Sequence, residues 1–132
     1  MKILIVGQWA WTQYEQAFAR GLRENGIEVE GLSRRDFFTG FLGRIQATLV
    51  FPGLAMWRFN KAVITACNKF KPDFVLFWRP THIWPSTIKR LSMMGVNTGS
   101  YNNDDPFGPK VHGKVPWHHH FLWIWYLRCI PF

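Results

Sequence analysis

Three short stretches of this 132-residue chain carry side chains with chemistry to offer. In Arg79-Pro80-Thr81-His82, an arginine suited to clamping phosphate or carboxylate stands three residues before a histidine suited to acid, base or hydrogen-bond work. The same pair reads equally well as a loop ion pair and a histidine capping the next helix. In Asn102-Asn103-Asp104-Asp105, two adjacent carboxylates fit a bound Mg²⁺, a general base or a tight turn. Metal sites usually draw ligands from further apart, and Pro106 adds to the turn chemistry. Gly7-Gln8-Trp9 offers an amide and an indole after a glycine; Trp9 suits stacking on a sugar or base, and Trp11 suits packing inward. His118-His119-His120 is a weaker candidate, because neighbours on a helix point about 100° apart and cannot chelate one ion together.

The elements that must position these residues follow from hydrophobic period. "KILIVG" (2–7) is a β-branched run ending in glycine, as a buried parallel strand does. Trp11, Tyr14, Ala17, Phe18, Gly21 and Leu22 recur at helical spacing until Asn25-Gly26 supplies a left-handed stop. "IEVEGL" (27–32) alternates apolar and acidic residues, as a strand near a sheet edge does. The spacing predicts a short helix over 37–49 and a break at Pro52-Gly53. A longer helix is predicted over 54–70, carrying Leu54, Trp57, Val63, Ile64, Cys67 and Phe70. "FVLFW" (74–78) is an apolar strand after Lys71-Pro72. Pro85 opens a helix with Ile88, Leu91 and Met94 inward, and "VNTGSY" (96–101) is the fourth strand. A last apolar helix is predicted from about 116 to 129.

Strands alternating with helices imply an α/β fold: a Rossmann-like, doubly wound parallel sheet of about four strands, formed by residues 1–132 as one domain. Ligands of such sheets bind beyond the strands' carboxyl ends, so residues 7–9, 79–82 and 102–105 are expected at one rim. The apolar last helix calls for further sheet to cover, which points to a fragment of a longer protein or an abbreviated one.

Composition narrows the class. Sixteen Lys and Arg against eight Asp and Glu give a net charge of +8, favouring anionic partners such as phosphate groups or an acidic membrane face. The cations are scattered, so no specific nucleic-acid site is expected. Two cysteines without C-x-x-C spacing give neither a disulfide framework nor a zinc knuckle. With no signal peptide or membrane-length apolar run, the expected location is cytoplasmic, with peripheral membrane contact through "FFTGFLGRIQATLVFPGLAMW" (37–57) set against core packing. One glycine after the first strand excludes the dinucleotide fingerprint, and neither a phosphate-binding loop nor a nucleophile elbow is present.

"KPDFVLFWRPTHIWPSTIKRLSMMGVNTGSYNNDDPFGP" (71–109), together with "MKILIVG" and the Phe18, Leu22, Gly26 spacing, resembles the amino-terminal domain of the CgeB-type, spore-maturation-protein-like glycosyltransferases of GT-B architecture. The resemblance spans residues 1–109, and Asn102–Pro106 is its most specific part. It implies the acceptor-side half of an enzyme whose nucleotide-sugar donor is gripped by a second, carboxyl-terminal domain. That domain is absent here, so the chain alone is expected to be inactive. No bound metal or other cofactor is implied, and the partners are a sugar or glycosylated acceptor and the nucleotide-sugar donor. On this basis Asp104 or Asp105 is the candidate base or acceptor clamp, with His82 as rival. Arg79 and Asn103 would position the acceptor, with Gly7, Gln8, Trp9, Thr81 and Asn102 completing the rim. The alternatives are a non-catalytic binder of sugar, nucleotide or polyanion, and an interaction domain pairing with a separate subunit.

Overall fold

The computed structural model describes residues 1–102 and 124–131. Four strands, β1 (Lys2–Gly7), β2 (Glu28–Ser33), β3 (Phe74–Trp78) and β4 (Asn97–Tyr101), form one sheet in the order β2-β1-β3-β4, and every pairing is parallel. The fold is the expected Rossmann-like α/β sheet with helices on both faces. β2 is an edge strand, and its alternation places Val29 inward while Glu28 and Glu30 face water. The chain steps from β1 to β2 in one direction and then reverses past β1 to β3. With right-handed crossovers, that reversal moves the connecting helices to the other face.

Each face has its own core. On one, Ile3, Ile5 and Val29 pack with Ala19 of α1 (Ala17–Glu24), and Trp9 covers part of the cluster. On the other, Leu4, Val6, Val75 and Phe77 pack beneath α2 (Gly40–Leu49), α3 (Leu54–Phe70) and α4 (Pro85–Met93). The short α5 (Ile124–Cys129) lies against α4, and its Trp125 indole donates to the Val50 carbonyl at 2.7 Å. That bond sits on a strained residue. Val50 ends α2 at φ 53°, a left-handed conformation that a β-branched side chain rarely adopts.

Four sequence expectations need correcting. The first helix is regular only from Ala17; the preceding turn over Thr12–Gln16 is kinked at Tyr14. The helix expected from 37 begins at Gly40, because residues 34–36 form a separate 3₁₀ turn capped by Ser33. In α3, Val63, Ile64, Cys67 and Phe70 are buried as expected, but Leu54 and Trp57 face outward. In α4, Ile88 and Leu91 are buried while Met94, just beyond the helix end, is exposed. Of the helix expected over 116–129, only its last part falls within the described residues.

Candidate functional site

Strand order fixes where the rim opens. The two chain directions diverge between β1 and β3, and there the loops leave a crevice at the strands' carboxyl ends. A cleft enclosing about 70 Å³ occupies this position, bounded by Gly7 and Gln8 after β1 and by Trp78 and Arg79 at the end of β3. Trp11, Tyr14, Glu15, Arg34 and His82 complete the chemically active part of its wall.

The β1 loop is closed from within. Glu15 is only 2% exposed, and its Oε1 accepts the backbone N–H of Gln8 at 2.8 Å and of Trp9 at 3.2 Å. In nucleotide-binding Rossmann folds, amides at this turn and helix start face a ligand's phosphate; here a carboxylate of the chain takes them. Gly7 makes room for it, since an added Cβ would lie 2.7 Å from the same oxygen and 3.1 Å from the Trp78 Cβ. The loop carbonyls are held too: Ser33 Oγ donates to Gln8 O and Gln16 Nε2 to Trp9 O, both at 3.2 Å. Among the described residues, Glu15 Oε2 has no hydrogen-bond partner.

The cationic side of the cleft starts at the first residue past β2. Arg34 Nη1 donates to Thr81 Oγ1 at 3.1 Å and meets His82 Nδ1 at 2.6 Å, while Thr81 Oγ1 lies 2.7 Å from that same nitrogen. His82 Nε2 lies 2.9 Å from the Ala47 carbonyl. A carbonyl only accepts, so Nε2 carries the proton and Nδ1 accepts. Burial, reinforced by the Arg34 charge and less strongly by the Arg79 charge, holds the His82 imidazole down to about 3 against the opposing Ala47 bond. Burial also lowers Arg34 to about 10, with the Arg79 charge adding and Glu15 opposing. Arg34 is therefore still a cation at neutral pH. Among the described residues its Nη1 alone is engaged, and no carboxylate pairs with it.

Aromatic rings form the remaining wall. Trp78 packs between Phe18, with ring centroids 5.6 Å apart, and Tyr101 at 4.5 Å. Trp11 is 54% exposed at the mouth. The two tryptophans after β1 thus exchange the roles expected of them. Trp9, with φ 55°, lays its ring over Gly31 and donates from Nε1 to the Ile5 carbonyl at 3.2 Å, so its half-buried ring packs against the core. Trp11 is the ring available to a ligand.

The loop 79–84 is fixed from behind. Arg79 adopts φ 53°, donates its backbone N–H to Tyr101 O at 2.8 Å, and accepts the Thr81 N–H at 2.8 Å. Behind it, buried Asn60 uses its whole amide. Nδ2 donates to Met56 O at 2.8 Å and His82 O at 3.0 Å, and Oδ1 accepts from Trp84 N at 2.9 Å and Thr87 Oγ1 at 2.7 Å.

Of the residues singled out in the sequence, Gly7, Gln8, Arg79, Thr81 and His82 come together at this rim. Thr81 and His82 are buried beneath it, and neither ring nitrogen of His82 is free for proton transfer. Asn102 directly follows β4 and does not line the cleft. Asn103, Asp104 and Asp105 lie outside the described residues, as do the three consecutive histidines. Sequence reasoning missed Glu15 and Arg34. Glu15 resembled an exposed helix residue, although Gly7 opposite signalled a close approach; Arg34 was legible as the first side chain beyond a parallel strand. Among the described residues, no cluster of three or more His, Cys, Asp or Glu is placed to hold a metal. Comparison with protein-family models, with curated proteins and with solved structures gave no match.

Proposed function

We infer that the chain is the acceptor-side domain of a glycosyltransferase of GT-B architecture, and that the β1–β3 cleft holds a sugar bearing an anionic group. The carrying observation is the lining of that cleft: the cation Arg34 and the indoles of Trp11 and Trp78, at the sheet's switch point. The exposed indole face of Trp11 suits the C–H face of a sugar ring, Trp78 walls the cleft beside it, and a guanidinium suits phosphate or carboxylate. The β1 amides are committed to Glu15, which disfavours a diphosphate there and agrees with a nucleotide-sugar donor held by a second domain.

On this reading His82 is a positioning residue. Neutral and fixed by Ala47, it presents Nδ1 to Arg34 and, with Thr81, aims the guanidinium. An acceptor hydroxyl must lose its proton during transfer. The resemblance gives that task to Asp104 or Asp105, and within the described cleft Glu15 is a further carboxylate. The engagement of both His82 nitrogens also favours a second reading, a non-catalytic binder of the same ligand class.

Heteronuclear NMR titration tests the inference. A sugar phosphate should shift the indole N–H signals of Trp11 and Trp78 and the Arg34 side chain, while Trp9 stays unmoved. A nucleoside diphosphate that instead shifts the Gln8 and Trp9 amides would refute an acceptor-side role. Labelled-sugar transfer after addition of a donor-binding domain separates the enzyme from the binder.

A further inference from the structure

Between Asp36 and Asp73 the chain has no aspartate or glutamate, yet it carries Arg44, Arg58, Lys61, Lys69 and Lys71. α2, the turn after it and the start of α3 occupy the first half of this stretch. Their inner side is covered, with Val50, Ala55, Met56 and Phe59 in the core. Their outer side leaves five large apolar side chains in water: Phe41 is 78% exposed, Leu42 72%, Leu54 57%, Trp57 47% and Phe51 42%. Scattered apolar residues are ordinary on a surface, but a run of this density marks an interaction face.

The elbow between the two helices has a fixed shape. Gln46 Oε1 accepts the Ala55 N–H at 3.1 Å, and the Gln46 amide fills the space where a side chain on Gly53 would lie. Beyond it Trp57, Lys61, Thr65 and Asn68 follow at intervals of three and four, on one face of α3. With Trp84 and Arg90 they line a groove of about 460 Å³. The Lys61 ammonium stands 5.0 Å over the Trp57 ring. Among the described residues, no carboxylate pairs with Arg44, Arg58, Lys61 or Arg90.

We propose that this face docks on an anionic lipid bilayer, with the elbow's apolar side chains in the headgroup boundary and the basic residues against lipid phosphate. Charge complementarity selects that occupant: cations without acidic partners border indole, phenyl and leucyl groups, the pairing that an anionic interface attracts. No helix among the described residues is long and apolar enough to cross a membrane, and the contact proposed for this face is a peripheral one. The face shares no lining residue with the β1–β3 cleft, and its role is independent of what that cleft binds.

Co-sedimentation of the full chain with vesicles is the test. Vesicles of phosphatidylcholine with about 30% phosphatidylglycerol should bind at least tenfold more chain than phosphatidylcholine alone, and salt at about 0.5 M should abolish the difference. Arg44→Gln and Arg58→Gln should each weaken binding about fivefold. Phe41→Ser with Leu42→Ser should remove it while leaving the circular dichroism unchanged, and Arg34→Met should bind like the parent. Equal binding to both vesicle types, or binding indifferent to the Phe41 and Leu42 changes, overturns the proposal. So does concentration-dependent self-association abolished by those same changes, which would make a second copy the occupant.

Discussion

Replacing Glu15 with alanine probes the internal anion of the β1 loop. The carboxylate is 2% exposed and accepts two backbone N–H groups, at 2.8 and 3.2 Å. A hydrogen bond to a charged group contributes about 1.5–3 kcal/mol, so an unrelieved loss of both would cost about 3–6 kcal/mol. The adjoining cleft admits water, which re-solvates part of the amide pair. The expected loss is therefore about 2–4 kcal/mol, a fall of roughly 10 °C in Tm for a chain of this size. Urea denaturation reads it as a lower midpoint at unchanged slope. Glu15→Gln keeps an oxygen acceptor and should lose less than half as much. The alanine variant also exposes two amides beside the Arg34 cation, an arrangement that attracts phosphate. If phosphate binds that site at about 1 mM, then about 10 mM should restore roughly 1.4 kcal/mol to this variant and leave the parent unmoved. An alanine variant within about 0.5 kcal/mol of the parent would refute the reasoning. Equal stabilisation of both proteins by phosphate would place the anion elsewhere.

Three further outcomes are expected. His82 is held at about 3 in the folded chain against an ordinary value of 6.5, so below pH 6.5 the unfolded chain binds the extra proton. Stability present above that pH should fall as pH falls, by up to about 1.4 kcal/mol per unit below about pH 6; His82→Asn should flatten the decline between pH 6 and 5, measured by urea midpoints. Gly31→Ala would push a methyl into the Trp9 ring and should cost about 1–3 kcal/mol, whereas Gly21→Ala, inside α1 with nothing beyond its own helix backbone within 4 Å of the added carbon, should gain about 0.5–1 kcal/mol; thermal melts of both variants check the contrast. Gly7→Ala should destabilise by a similar 1–3 kcal/mol, and much less when combined with Glu15→Ala, a coupling that a double-mutant cycle measures.

Much of the fold was legible because its signals are local. Apolar runs closed by glycine or opened by Lys-Pro marked the strands, and α3 spans the predicted 54–70. The orientation of individual aromatics was not legible, since it depends on contacts far along the chain. Trp9 turns inward because Gly31, twenty-two residues later, leaves a flat space beside it. Leu54 and Trp57 fit the apolar stripe of α3 by spacing, yet face water, since only the Ala55, Met56 and Phe59 side of this first turn meets the core. The rim itself followed from topology, so Arg79, Thr81 and His82 were found. Their roles depended on Arg34 reaching across 47 and 48 residues, a pairing that periodicity does not encode.

The saturated amide of Asn60 bears on how fast and at what entropic cost the cleft can work. With three bonds joining α3 to the loop 79–84 and to the start of α4, and a fourth anchoring the amide to Met56 within α3, this wall is ordered before any ligand arrives. Ordering one mobile side chain on binding costs about 0.5–1.5 kcal/mol, and here that loss belongs to folding. Encounter then needs little rearrangement on this side of the crevice. Asn60→Asp would set a carboxylate oxygen against two carbonyls, so the position is closed to its nearest isostere, and the loop's rigidity is tied to that one residue.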